Sequence, residues 1–184
     1  MPKVTEEHLA SRRAEILEGA RRAFATYGYE GATVARLEEA TGLSRGAIFH
    51  YFDSKLDLFA ELALAENRRY INLMIDRGFD DAMRSMANED PEWLGMLFES
   101  ETRLRHDPEF VRKLAGTADD SNRFKAWLAD AQARGEFRQD VDITHLGRFA
   151  TSLLNGIALR VAGGDETDVE PLIALLRDAI APRK

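Results

Sequence analysis

Arg45, His50 and Tyr51 lie close together in the chain, and Lys55 follows them. Arginine and lysine side chains bind phosphate oxygens, and the fork of an arginine also matches the major-groove edge of guanine. Imidazole and phenol groups hydrogen-bond both phosphates and bases. The scattered histidines have no pair at metal-ligand spacing, and the chain has no cysteine. The types and spacing therefore indicate binding of nucleic acid rather than catalysis.

A helix-turn-helix arrangement would position these side chains. Thr33 is a good N-cap for a first helix that Gly42 ends, because glycine tolerates the left-handed conformation just past a helix. Ser44 is a good cap for a second helix over about 45–51. A helix of that length is unstable alone, so its apolar side must pack and its polar side remains free for a DNA groove. The residues of the apolar side are Ala47, Ile48 and Phe52.

Eight residues of this region are the candidate DNA contacts. Capping alone would also explain Thr33 and Ser44, and Tyr51 has the alternative of packing against the first helix. Gly46 would allow either a close approach of the backbone to DNA or close packing between the two helices. The full set is Thr33, Arg36, Ser44, Arg45, Gly46, His50, Tyr51 and Lys55.

The charge distribution predicts DNA contact at one end only. The net charge is −7, but residues 1–60 carry almost equal numbers of basic and acidic side chains. A local positive face on an acidic body would orient the protein on its partner. We expect modest affinity with a clear salt dependence.

The whole chain is predicted to be helical, since strand-like alternation is absent and glycines and prolines separate long periodic segments. The fold class is all-α, with nine helices in two parts. Residues 1–54 form a three-helix head with the helix-turn-helix, and residues 55–184 form a helical body for ligand binding and dimerisation. Besides the two helices above, the predicted ranges are 9–28, 55–76, 79–87, 91–105, 108–134, 143–162 and 169–181.

The cysteine-free composition fits a reducing compartment. The N-terminus has no apolar core of signal-peptide length, and no segment approaches a membrane span. These features predict a cytoplasmic protein without a membrane partner.

The last two long helices are apolar on two sides, which is more than one core contact requires. One explanation is a helix buried all round within the protomer. The favoured one is a two-fold homodimer in which these helices meet their copies as a four-helix bundle. The candidate dimerisation residues are Leu154, Ala158, Val161, Leu172 and Leu176.

Polar side chains in the body are the candidates for binding a small-molecule effector. Thr117 and Ser121 interrupt an inward apolar stripe, although such hydroxyls often bond to the carbonyl four residues back. Glu99 and Arg103 are four residues apart and would either hold a ligand or pair on the surface. Asn155 faces either a pocket or solvent. The mixture suits a carboxylate with a divalent metal, but the sequence assigns no metal ligands.

The head resembles the TetR family of bacterial transcriptional regulators. The resemblance begins with Phe24 and Tyr27–Tyr29, continues through Gly31–Thr33, and covers about the first 60 residues. Phe49 departs from the family pattern, which usually has tyrosine there, so a hydroxyl for a phosphate contact is missing. The remaining matches are Leu37, Ala40, Gly42, Leu43, Ser44, Gly46, Ile48, His50, Tyr51, Phe52 and Lys55.

The resemblance implies a non-enzymatic repressor that binds a palindromic double-stranded operator as a dimer and is released by a small ligand, with no required cofactor. Within the family, the segment around Phe49 is similar to the actinobacterial aconitase repressor subgroup. That likeness implies control of an aconitase gene and a response to citrate or a related tricarboxylate with a divalent metal. The alternative is a helix-turn-helix module that binds proteins and no DNA, which the charge deficit and Phe49 would favour.

Overall fold

A computed structural model describes residues 6–114 and 118–183, and every regular element in those ranges is a helix. The prediction of an all-α fold is confirmed. None of the helices in these ranges combines the length and hydropathy that a membrane span requires. The helices are α1 (Glu6–Gly31), α2 (Val34–Thr41), α3 (Arg45–Ile48), α4 (Lys55–Ala87), α5 (Pro91–Leu104), α6 (Pro108–Leu114), α7 (Ala118–Ala133), α8 (Ile143–Ala162) and α9 (Glu170–Ile180).

Two glycines interrupt the long helices α1 and α4. Gly28 has φ 70° and ψ 169°, and Gly78 has φ 84° and ψ 177°. The sequence predicts helix ends at these two positions, and the backbone does leave the helical conformation there. Helical hydrogen bonding resumes directly afterwards, which is why each pair of segments forms one interrupted helix.

The other helix boundaries follow their capping residues. Asp142 caps α8, because its side chain accepts a hydrogen bond from the Thr144 N–H at 2.8 Å. Prolines open α5 and α6 as predicted. The sequence predicts one helix over 108–134, and the described residues of this range form α6 as far as Leu114 and α7 from Ala118. Residues 115–117, which include the candidate Thr117, lie outside the described ranges.

The chain divides into two compact units, and the first comprises residues 1–65 and 95–114. Within it, α1 and α2 approach closely at Gly19, where a Cβ atom would lie 2.7 Å from Cγ2 of Thr41. Stacked and edge-to-face rings form the core: Phe59 lies 5.5 Å from Phe24 and 5.8 Å from Phe110, measured between ring centroids. This core is the support on which α2 and α3 rest.

The second unit comprises residues 66–94 and 115–184. Its core contains Trp93, Ile157 and Ile173, all essentially without exposure. Ion pairs hold α9, since Arg84 contacts Glu170 at 2.7 Å and Arg177 pairs with Asp80. Four further aromatic side chains are in mutual contact: Phe79, Phe124, Trp127 and Phe137.

Candidate nucleic-acid interface

The turn between α2 and α3 is fixed by its own backbone and side chains. Gly42 adopts the left-handed conformation, with φ 70° and ψ 13°, and its N–H donates to the Glu38 carbonyl at 2.9 Å. The Thr41 hydroxyl donates to the Leu37 carbonyl at 2.7 Å and accepts from the Leu43 N–H at 3.2 Å. Both ends of the turn are thereby satisfied without water, and the direction of α3 is set.

The N-terminus of α3 receives two side-chain acceptors. The Ser44 hydroxyl oxygen accepts from the Ala47 N–H at 3.3 Å, as predicted for its cap. The Glu38 carboxylate accepts from the Arg45 N–H at 2.6 Å. A carboxylate at this point satisfies a free N–H and complements the positive end of the helix. Glu38 is not among the predicted site residues, because its contact with Arg45 depends on how the turn folds back.

The predicted sidedness of α3 is present in the structure. Ile48 is fully buried and Phe52 is 1% exposed, whereas Arg45, Gly46 and His50 are exposed. Helical hydrogen bonding runs past the formal end of α3, since the His50 N–H donates to the Gly46 carbonyl at 3.1 Å. One side of a two-turn helical segment is thus anchored, and the other side faces outward.

Arg13 holds the far end of this segment. Its guanidinium donates to the Tyr51 carbonyl at 2.7 Å and to the Glu61 carboxylate at 2.7 Å, and it lies 4.4 Å from the Phe52 ring centroid. A single side chain therefore links α1, α4 and the residues just after α3. The sequence alone does not reveal this role, since the three partners come together only in the folded unit.

Gly46, His50 and Tyr51 line a hollow of about 430 Å³ on the outer side of α3. A Cβ atom at Gly46 would meet no heavy atom within 4 Å. Close packing between α2 and α3 therefore does not explain this glycine, and the structure leaves room there for the close approach of a partner backbone. Arg12, Leu43 and Ala47 complete the hollow. The predicted site includes none of these three residues.

Among the predicted DNA contacts, Arg45 has a side chain that is available to a partner molecule. Its side chain is exposed, and within the described ranges no partner is recorded for its guanidinium. His50 lies edge-to-face with Tyr51, with ring centroids 5.3 Å apart, and Tyr51 is half-buried. An exposed guanidinium and two flat rings on the same short segment can meet both phosphate and base-edge acceptors.

Arg36 and Lys55 are engaged within the protein. The Arg36 guanidinium donates to the Gly31 carbonyl at 2.8 Å and lies 4.0 Å from the Tyr27 ring centroid. The Lys55 ammonium donates to the Tyr29 carbonyl at 2.8 Å and lies 4.5 Å from that residue's ring centroid. Both cations bind carbonyls at the end of α1, and only their remaining donors are available to DNA.

Thr33 caps α2 and is exposed, with its hydroxyl oxygen 3.4 Å from the Arg36 N–H. A capping hydroxyl accepts from the backbone and keeps its own O–H, so it can still donate to a phosphate. Thr33 and Ser44 therefore keep both roles that the sequence leaves open.

The described effector candidates are divided between the two units. Glu99 and Arg103 form an exposed pair in the first unit at 3.7 Å, and Arg103 also contacts Glu30 at 3.4 Å. Asn155 is exposed on α8 in the second unit. Ser121 lines a cavity of about 290 Å³ in that unit. No group of three histidine, aspartate or glutamate side chains within the described ranges can hold a metal ion.

The dimerisation candidates lie largely inside the protomer. Leu154, Ala158, Val161 and Leu176 are each at most 6% exposed, and Leu172 is half-buried. The same helices expose other large apolar side chains: Phe149 is 49% exposed, Leu159 63% and Leu175 66%. The three candidates on α8 therefore lie on a side of the helix that the protomer itself covers.

Comparison with known proteins identifies relatives of the whole chain. Residues 16–62 match the family of bacterial regulatory proteins called the tetR family. The chain is 42% identical to the HTH-type transcriptional repressor Rv1474c of Mycobacterium tuberculosis, covering 96% of this chain and 95% of the relative. It is 44% identical to the HTH-type transcriptional repressor AcnR of Corynebacterium glutamicum, covering 85% of each.

Solved structures share the fold. Salmonella enterica GusR superimposes with a TM-score of 0.72 at 22% identity, covering 97% of this chain and 96% of that one. A TetR-family regulator from Rhodococcus sp. gives a TM-score of 0.69 at 22% identity, covering 92% and 96%. These likenesses extend the predicted two-part helical fold beyond the head.

Proposed function

Since the chain belongs to the TetR family of bacterial transcriptional regulators, within the group of AcnR repressors, we propose that it is a homodimeric repressor of a palindromic operator, released by a small ligand. It is a transcriptional regulator and not an enzyme. The residues of the head would read the DNA, and residues 55–184 would bind the ligand and the second protomer.

The outward side of α3 is the observation that carries this proposal. The helix is capped by Ser44 and Glu38, anchored by Ile48, and exposes Arg45 and Gly46. A short helix that is rigid on one side and presents free donors on the other suits the major groove.

A second copy of the chain would supply the second recognition helix. The exposed Phe149, Leu159 and Leu175 on α8 and α9 are the surface that we assign to this contact. Two recognition helices must span successive major grooves about 34 Å apart, so a palindromic operator would mirror the two-fold symmetry of the dimer. A ligand that binds preferentially to a dimer whose two recognition helices have a different separation would release the DNA.

The subgroup likeness suggests the target gene and the effector. Relatives at 40–44% identity bear the name AcnR, and we propose that this protein acts in the cytoplasm on an aconitase gene. Citrate or a related carboxylate, alone or with a divalent metal, is the proposed effector. A metal would arrive with the ligand, since the described residues contain no acidic or histidine cluster for it.

Fluorescence anisotropy tests the proposal directly. The full chain is titrated onto a labelled palindromic duplex from upstream of an aconitase gene, and onto a scrambled duplex, at several salt concentrations. We expect preference for the palindrome, affinity that falls steeply with salt, and release by citrate with Mg²⁺. Absence of binding to any duplex, including those from a random-sequence selection, would leave the protein-binding module as the better explanation.

A further inference from the structure

Two consecutive arginines of α1 have different surroundings. Arg12 pairs with Glu15 at 2.8 Å and lines the hollow beside α3. Arg13 instead donates to the Tyr51 carbonyl and to the Glu61 carboxylate, both within the first unit. Arg13 therefore acts on the residues at the end of α3 from the protein side, whereas Arg12 lies on the side that a partner would approach.

The guanidinium of Arg13 is fixed by three kinds of contact. Its Nε donates to Oε1 of Glu61 at 2.7 Å and its Nη2 donates to Oε2, so that two parallel bonds set the plane of the group. Its Nη1 donates to the Tyr51 carbonyl at 2.7 Å. Its central carbon lies 4.4 Å from the centroid of the Phe52 ring. Each of the three guanidinium nitrogens thus donates to an acceptor within this unit.

The carbonyl that Arg13 binds belongs to the last residue of the recognition segment, which we define as residues 45–51. Helical hydrogen bonding ends there in a tighter turn, since the Tyr51 N–H donates to the Ile48 carbonyl at 3.1 Å. A carbonyl at such an end needs a partner from outside the helix. Because His50 and Tyr51 are candidate DNA contacts, Arg13 holds the backbone from which two of these side chains project.

We propose that Arg13 is a positioning residue for operator recognition, and that Glu61 holds Arg13 in the orientation that this role requires. Through the Tyr51 carbonyl, the pair sets how far His50 and Tyr51 reach into the DNA groove. Contacts with base edges depend on such placement, whereas phosphate contacts carry no sequence information. The inference rests on the proposed function, since it makes the preference for the operator depend on two side chains that contact no DNA.

The double variant Arg13→Gln/Glu61→Gln removes the ion pair without changing the net charge. Anisotropy titrations compare it with the wild type on the palindromic and the scrambled duplex at several salt concentrations. We expect affinity for the palindrome to fall roughly tenfold, the effect of one weakened base contact, and affinity for the scrambled duplex to stay unchanged.

A phosphate contact of Arg13 would give a different result in the same titrations. Both duplexes would bind the double variant more weakly, and the slope of log affinity against log salt concentration would fall by about one. That result, or wild-type affinity of the double variant for the palindrome, would overturn the inference.

Glu61→Ala separates positioning from charge, because the two effects have opposite signs. Removal of a negative charge alone would strengthen binding to both duplexes equally. Loss of the carboxylate also releases the Arg13 guanidinium, so we expect the ratio of palindrome affinity to scrambled-duplex affinity to fall several-fold. An equal gain on both duplexes would contradict the role of Glu61.

Arg22→Gln/Glu18→Gln is the matched control on α1. Arg22 pairs with Glu18 at 3.1 Å and donates to the Ala40 carbonyl at 3.0 Å. It therefore has the same kinds of partner as Arg13, but the carbonyl belongs to α2 and not to the recognition segment. We expect the wild-type preference for the palindrome in this control, and an equal loss in it would overturn the inference.

Folding is checked by circular dichroism, and the titrations are made where every variant is folded. Arg13→Lys is the milder variant for the same comparison, because lysine keeps the charge but lacks the planar fork; we expect a reduced preference here as well. A role in stability alone would lower the unfolding midpoint of these variants and leave the preference of the folded protein unchanged, which would overturn the inference.

The wild type distinguishes this inference from the proposed function. If the wild type prefers no duplex, the repressor fails and the positioning role fails with it. If the wild type prefers the palindrome and the Arg13 and Glu61 variants prefer it equally, the repressor stands and only the positioning role is wrong.

Discussion

The Glu38 carboxylate accepts a hydrogen bond from the Arg45 N–H across 2.6 Å. This contact joins the helix before the turn to the first residue of the recognition helix. It also places a negative charge where the end of a longer helix would attract phosphate. Glu38 therefore orients α3, and we expect its charge to weaken contact with any DNA backbone that does not also offer the right bases.

Glu38→Ala should separate these two effects. We expect the free energy of unfolding to fall by about 0.5–2 kcal/mol, the usual range for a lost helix cap. Affinity for a scrambled duplex should rise because a repulsive charge is gone, so that the operator preference falls. Glu39→Ala is the control, since Glu39 is exposed and its carboxylate forms no hydrogen bond or ion pair with the residues that the structure describes. An unchanged operator preference in Glu38→Ala would refute this role.

Phe49→Tyr should strengthen operator binding. Phe49 is half-buried at the C-terminal end of α3 and lacks the hydroxyl that the family usually has there. One added hydrogen bond is worth about 0.5–1.5 kcal/mol, or roughly 2- to 12-fold in affinity. Anisotropy titrations measure it, with the half-buried Phe137→Tyr of the other unit as the control. Equal gains in both variants would argue against a phosphate contact at position 49.

Asp57→Asn should reduce stability in a pH-dependent way. Burial acts to raise the pKa of Asp57, but hydrogen bonds from Lys113 and the Asp53 N–H outweigh it and hold this pKa below its ordinary value. Because the pKa of Asp57 is lower in the folded state, its carboxylate contributes fully to the free energy of unfolding above the ordinary pKa of about 4. That contribution is lost as pH falls through the folded-state pKa.

We therefore expect Asp57→Asn to unfold more easily than the wild type at pH 7, by roughly 1–3 kcal/mol, and the difference to shrink below about pH 4. Urea unfolding across this pH range measures it. Asp53→Asn is the control, because only the backbone of Asp53 takes part in the contact. A difference that stays constant down to pH 2 would contradict the assignment.

Leu159→Glu should separate the protomers without unfolding them. Leu159 is 63% exposed on α8, so a charge there costs little within one protomer but much in an apolar interface. Sedimentation velocity should show a dimer for the wild type and a monomer for the variant. Leu9→Glu, at a 40% exposed leucine of the first unit, should remain dimeric. A dimeric Leu159→Glu variant would move the interface elsewhere.

The ends of α8 were predictable because local chemistry determines them. The range 143–162 follows from Asp142 as the cap and from glycines after Ala162, and the structure has the same bounds. The break at Gly78 was predictable for the same reason. Signals that act within one or two turns of the chain can be read without knowing the tertiary structure.

Contacts between distant segments were not predictable. The Arg13 contacts with Tyr51 and Glu61 join residues far apart in sequence. The two apolar sides of α8 share the helical period, so the sequence could not reveal which residues the protomer itself covers. Leu154 is buried and Leu159 is exposed, and this difference is a property of the folded unit.

Operator binding by an Arg45→Ala/His50→Ala variant tests the central claim most directly. The matched control is Arg105→Ala/His106→Ala, an exposed Arg–His pair of the same unit that lies outside α2 and α3. We predict that the first variant stays folded and dimeric but loses on the order of 100-fold or more in operator affinity, because the binding free energies of two lost contacts add. The control should bind like the wild type. Wild-type affinity in the first variant, or an equal loss in the control, would contradict recognition through α3.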